Sequence, residues 1–87
     1  MKELTFVGLF QDKSKKGNDY GIAYFTGEPD ERIKDRSVGV IGLKFFVMGD
    51  NLDVLKTIKV GSKVHTALHT YKNDKGEYVT NLVAIQP

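Results

Sequence analysis

"GDNLDVLKTIKVG", residues 49–61, is where the patterning of this chain changes. Leu52, Leu55 and Ile58 fall three apart, the spacing of one helix face. Asp50 or Asn51 stands where an N-cap belongs, Asp53 falls in the first turn, Lys59 near the end, and Gly61 at the close. A short helix is predicted here. The stretches on either side read as strands. Upstream, "ELTFVGLF" (3–10), "YGIAYFT" (20–26) and "VGVIGLKFFVM" (38–48) are rich in aromatic and β-branched residues. They are separated by the polar, glycine-containing loops "QDKSKKGND" (11–19) and "GEPDERIKDRS" (27–37). Downstream, "SKVHTALHTY" (62–71) alternates, with Val64, Thr66, Leu68 and Thr70 on one face. Lys63, His65, Ala67, His69 and Tyr71 take the other face. "KNDKG" (72–76) reads as a hairpin turn and "EYVTNLVAI" (77–85) as the last strand.

The predicted order is therefore three strands, a short helix and two strands. A five-stranded Greek-key barrel with a helical plug between its third and fourth strands has this order, and that is the OB-fold. "KVGSKVHTALHTY…KGEYVTNLVAI" resembles the back half of many OB domains: a small residue ends the helix, a basic residue opens the next strand, and a tight hairpin leads into a final strand. An SH3-like barrel is the main alternative, but its helical turn lies between the last two strands, and here the helical period precedes the final hairpin. The 87 residues suffice for one domain, residues 1–87. With no cysteine there is neither a disulfide nor a thiolate metal site. A chain this small without staples is expected to dimerise. No apolar run approaches the roughly 20 residues that span a bilayer, and "MKELTFVGLF" lacks the marks of a signal peptide. No membrane partner is expected, and a cytoplasmic location is.

Enzymatic readings find little support. His65 and His69 lie four apart, roughly 13 Å along a strand, too far to share one metal ion. Val64, Thr66 and Thr70 disfavour the helix that would bring them together. Ser14, Ser37 and Ser62 fall in predicted loops without a nucleophile-elbow sequence. "GVIGLK" lacks the length and the Lys-Ser/Thr ending of a phosphate loop. No metal, cofactor or enzyme activity is expected.

Binding of a polyanion reads better. Net charge is only +2, but the charges are unevenly placed. Lys56, Lys59, Lys63, Lys72 and Lys75 face the single acid Asp74 in their stretch, while Glu28, Asp30, Glu31 and Asp35 gather in the middle loop. Single-stranded nucleic acid is held by cations along its backbone and flat side chains beneath its bases. In OB domains that site is the face of the second and third strands, framed by the first-to-second and fourth-to-fifth strand loops. Here the first loop carries Lys13, Lys15 and Lys16, and the second carries Lys75 with Lys72 at its start. On the third strand Ile41, Leu43, Phe45 and Val47 form a continuous apolar set and are expected in the core, which sends Lys44 and Phe46 outward. Tyr20, Ile22 and Tyr24 share one face of the second strand, and Gly21, Ala23 and Phe25 the other. Either face could be inside. Tyr20, Tyr24, Lys63, His65, His69, Tyr71 and Tyr78 complete the candidate nucleic-acid-binding set, whereas Phe6, Phe10, Phe25 and Phe45 are expected in the core.

"KSKKGNDYGIAYF" (13–25) is similar to the basic loop and second strand of the small single-stranded DNA-binding proteins of filamentous phages and related mobile elements. The matching positions are Lys15, Lys16, Gly17 and Tyr20. The resemblance implies that Tyr20 stacks on a base or edges the groove, that the lysines contact phosphates, and that the protein is a dimer holding two antiparallel DNA strands. The chain departs from that family in having few arginines and in its 52–58 helical stretch. The function expected is sequence-tolerant binding of single-stranded DNA during replication or transfer. A protein-interaction or assembly module and an RNA-binding domain of the cold-shock type are the alternatives. Against the cold-shock type, its aromatic-rich RNA-binding segments are missing.

Overall fold

The structure, a computed structural model, describes residues 2–87. Five strands form one antiparallel sheet: β1 (Lys2–Lys13), β2 (Asp19–Gly27), β3 (Ile41–Met48), β4 (Lys63–Lys72) and β5 (Tyr78–Gln86). The helix α1 (Gly49–Thr57) lies between β3 and β4, and a single 3₁₀ turn (Lys34–Arg36) interrupts the middle loop. The strand order is β3-β2-β1-β4-β5. The sheet curls until its two edges, β3 and β5, come within 8 Å of each other at Cα, but no ladder joins them among the described residues. It is thus a barrel-like sheet that is not closed.

The core lies on the concave face. Leu4 and Phe6 of β1, Ala23 and Phe25 of β2, Phe45 and Val47 of β3, Val64 of β4 and Ile85 of β5 are buried there, with Leu52 and Leu55 of α1 closing one end. Phe25 packs between Phe6 and Phe45 at ring-centroid separations of 5.8 and 5.9 Å. The buried Thr66 hydroxyl donates to the Lys2 carbonyl at 2.8 Å, so this polar group meets its requirement inside.

Several expectations change. Phe10 is not core: its ring is 51% exposed. Plain alternation from Leu4 and Phe6 would turn Phe10 inward. A β-bulge at Val7 inserts an extra residue between the Phe6–Phe25 and Gly8–Tyr24 pairs, and the parity reverses. Leu9 then faces inward opposite Ala23, and Phe10 faces out opposite Ile22. A second bulge, at Val83, separates the Ala67–Ala84 and Leu68–Leu82 pairs. β3 begins at Ile41 and not at residue 38, leaving Val38 fully exposed. α1 is capped by the extended backbone of Met48, without a side-chain bond, and ends at Thr57. Neither Asp50 nor Asn51 caps it: both lie inside the helix, and the Asn51 amide donates to the Val83 carbonyl at 3.2 Å, tying the helix to the β5 bulge. Gly61 closes no helix. Its φ of +95° turns the chain into β4, while its N–H donates to the Phe6 carbonyl at 2.7 Å.

Gly21 shows how tightly α1 seats. A Cβ at this position would lie 2.8 Å from the Phe10 carbonyl oxygen, 3.0 Å from Leu9 Cδ1 and 3.1 Å from Leu52 Cδ1. The first of these atoms is backbone and can move only with the β1–β2 ladder. Gly21→Ala is expected to cost about 1–3 kcal/mol, or about 4–8 °C of melting temperature per kcal/mol. A thermal melt followed by circular dichroism checks this.

Candidate nucleic-acid interface

The convex face of β1–β2–β3 carries three cross-strand rows. Their register is Gly8–Tyr24–Lys44, Phe10–Ile22–Phe46 and Asp12–Tyr20–Met48. The opposite face of β2 and β3 fills with Gly21, Ala23, Phe25, Phe45 and Val47, so Tyr20, Ile22 and Tyr24 have to point outward. This settles the face of β2 that the sequence left open. Tyr20 and Phe46, diagonal neighbours on adjacent strands, stack at 5.4 Å between centroids with 20° between planes. Phe46 nevertheless remains 57% exposed. Val7, Phe10, Tyr24 and Met48 are also exposed around it. The face is therefore a broad apolar and aromatic surface with one cation, Lys44, in its midst. Among the described residues no carboxylate lies within ion-pair distance of Lys44.

The β1–β2 turn rises from one end of this face. It is a built turn: the Ser14 N–H donates to the Asn18 carbonyl at 2.8 Å, Gly17 N–H to the Ser14 carbonyl at 2.9 Å, and Asn18 N–H to Ser14 Oγ at 3.2 Å. Gly17 supplies the φ of +82° that the turn needs. Lys15 and Lys16 sit exposed at its tip, roughly 10–15 Å along the strands from Tyr20. Lys13 belongs to β1 and not to the loop, and it pairs with Asp19 at 3.5 Å. Its charge is therefore partly answered within the hairpin. Lys56 on α1 shares a surface depression with Tyr20, Asp12 and Lys13, so the helix adds a cation to the rim that sequence spacing had not placed there.

The β4–β5 turn lies at the other end, because β4 runs antiparallel to β1. The Asn73 carboxamide oxygen accepts the Lys75 and Glu77 N–H groups at 3.0 and 2.9 Å, and this organises the turn. Lys72 ends β4 and Lys75 sits in the turn. The exposed Tyr78 ring lies beneath the Arg32 guanidinium at 5.9 Å, so the middle loop folds against this hairpin. Arg32 also pairs with Asp30 at 3.2 Å. The Arg32 backbone N–H, and then its side chain, hold the Asp30 carboxyl below the usual carboxylate range.

The remaining candidates lie elsewhere. Lys63 pairs with Glu3 at 3.7 Å, and His65 stands directly opposite Glu3. His69 and Tyr71 stack on each other at 5.8 Å on the convex side of β4. Lys63 and His65 lie where β4 pairs with β1, which separates them from β2, whereas His69 and Tyr71 lie where β4 pairs with β5, across the seam from β3. Phe10, Ile22 and Met48 join the Tyr20–Phe46 surface, though they were not among the expected site residues. Alternation alone would have placed Ile22 and Met48 once the β2 face was known. Phe10 required the bulge.

No family model matches the chain, and comparison with curated proteins and with solved structures gives no match.

Proposed function

We propose that this chain is a single-stranded DNA-binding protein of OB-like design, which holds the strand across the convex face of β2 and β3. The observation that carries this reading is the exposed Tyr20–Phe46 stack beside the unpaired Lys44. Bases of any identity can lie on those rings, and each stacked base is worth about 1–3 kcal/mol. Lys44, Lys56, Lys15 and Lys16 are placed to meet phosphates on either side. The strand order β3-β2-β1-β4-β5, with β3 and β5 approaching, agrees with a Greek-key OB barrel opened at one seam. A protein with such a face would coat exposed DNA during replication or transfer and melt its secondary structure. Titration of a labelled oligo-dT by fluorescence anisotropy, with duplex DNA and RNA of equal length as controls, tests the reading. Preferential, salt-sensitive binding of the DNA single strand supports it, and equal or absent binding rejects it.

Lys15→Ala together with Lys16→Ala is expected to weaken binding and to lower the slope of log K against log [salt] by about 1.4, near 0.7 for each single-strand phosphate that a lysine no longer neutralises. The comparison needs titrations at several salt concentrations. An unchanged slope would remove the turn from the interface.

A second reading rests on Val7, Phe10 and Met48, which leave further apolar surface exposed on this face. On this reading the face, or part of it, is where two copies associate. Sedimentation equilibrium of the DNA-free protein separates the two: a dimer broken by Phe10→Ser would assign these residues to self-association.

A further inference from the structure

Gly42 of β3 is a strand glycine that packing does not require. At Gly21 and Gly27 an added Cβ would run into the Phe10 carbonyl oxygen at 2.8 Å and Leu4 Cδ2 at 2.5 Å. At Gly42 an added Cβ would meet nothing within 4 Å. The φ of Gly42 lies outside the left-handed region, so a side chain would not strain the backbone. The β2–β3 ladder runs through the Thr26–Gly42 pair without a register shift, so no bulge calls for it either. Gly8, the other convex glycine with open space above it, adjoins the Val7 bulge. A glycine inside a strand weakens it, and one remaining reason to have it there is the close approach of a ligand.

The space at Gly42 is a depression of about 390 Å³, lined also by Val7, Tyr24, Thr26 and Lys44. Gly42 shares the outward side of β3 with Lys44 and Phe46, so the depression opens on the face that carries the Tyr20–Phe46 stack. The exposed Tyr24 ring gives it a flat wall, and Lys44 is the one charged residue of its lining. An occupant that suits both has a flat body with an anion beside it. No unmodified amino-acid side chain combines the two, whereas every nucleotide does.

We propose that this depression seats one nucleotide of the bound strand, its base over Gly42 and against the Tyr24 ring, its phosphate at Lys44. Gly42 is then a binding residue by virtue of having no side chain. The inference rests on the single-stranded DNA reading and deepens it. Lys44 and Phe46 are two residues apart, about 6.6 Å along β3, so a nucleotide seated here is a near neighbour of the bases on the stack.

The test uses the full chain, a labelled oligo-dT and the series Gly42→Ala, Gly42→Val and Gly42→Leu. Melting temperatures are expected to stay level or rise, because a Cβ here meets no neighbour and glycine is a poor strand former. Binding is expected to weaken in step with side-chain size, reaching roughly 5- to 100-fold at Gly42→Leu, the loss of one stacked base. Wild-type affinity throughout the series overturns the inference, and the platform reading stands if Phe46→Ala still weakens binding. Weaker binding matched by a lower melting temperature in all three variants also overturns it, because the fold would then need the glycine. A DNA-free dimer that Gly42→Leu dissociates, with oligo-dT affinity unchanged, overturns it and gives the depression to a second copy. A wild type that binds no oligo-dT rejects the platform reading and this inference with it.

Discussion

Phe46→Ala is expected to weaken oligo-dT binding by roughly 5- to 100-fold and to leave the melting temperature almost unchanged. Both halves of this expectation come from placement. The ring is 57% exposed, so its removal opens no cavity in the core. It also forms half of the stacked pair with Tyr20, so its loss removes a surface on which a base can lie. The slope of log K against log [salt] should stay where it was, because the same phosphates remain neutralised. Tyr20→Ala should behave in the same way. The double variant should lose less than the sum of the two, since the rings touch and share one platform. Anisotropy titrations of the three variants, each with a thermal melt, measure this. A drop in melting temperature that accounts for the weaker binding would make the pair structural and remove the platform.

Phe25→Ala has the opposite profile. Phe25 is fully buried between Phe6 and Phe45, at the centre of the concave face. Truncating such a phenylalanine costs about 3–5 kcal/mol, through lost transfer energy and the cavity left behind. A domain of this size has a total stability on the order of 5–10 kcal/mol, so this one change should consume much of it. Urea denaturation should show a midpoint lowered by a third or more with the m-value retained. A loss below about 1.5 kcal/mol would mean that the sheet does not close over this ring as described. Phe25 and Phe46 thus separate the two faces of one sheet: stability without binding, and binding without stability.

Much of this is legible in the sequence because it depends on local period. The helix around Leu52 and Leu55 stands out from five strand-like stretches, and the alternation of Ile41, Leu43, Phe45 and Val47 assigns Lys44 and Phe46 to the outside. The two faces of β2 are both apolar enough to be core, so its direction is decided only by pairing: Ala23 and Phe25 meet Phe45 and Leu43 across the ladder. Phe10 escapes a reading by alternation because a bulge is one extra residue with no side-chain signature of its own, and Val7 looks like any strand residue. The same holds for Val83, whose bulge interrupts the β4–β5 ladder. Lys63, His65, His69 and Tyr71 show the limit of reading a strand by itself. Their outward face is correct, but which side of the curled sheet it belongs to depends on the strand order. Lys56 is the converse case, a helix residue that tertiary packing carries to the edge of the tyrosine surface.

The convex face of β2 and β3, and not another surface, is proposed to hold the DNA strand. Backbone amide chemical shifts recorded while a short oligo-dT is titrated into the labelled protein test this residue by residue. The perturbed residues are expected to cluster at Tyr20, Ile22, Tyr24, Lys44 and Phe46, to continue into the Lys15–Lys16 turn, and to leave Lys63 and His65 unmoved. Perturbations confined to the convex side of β4, or none at saturating oligonucleotide, would contradict it.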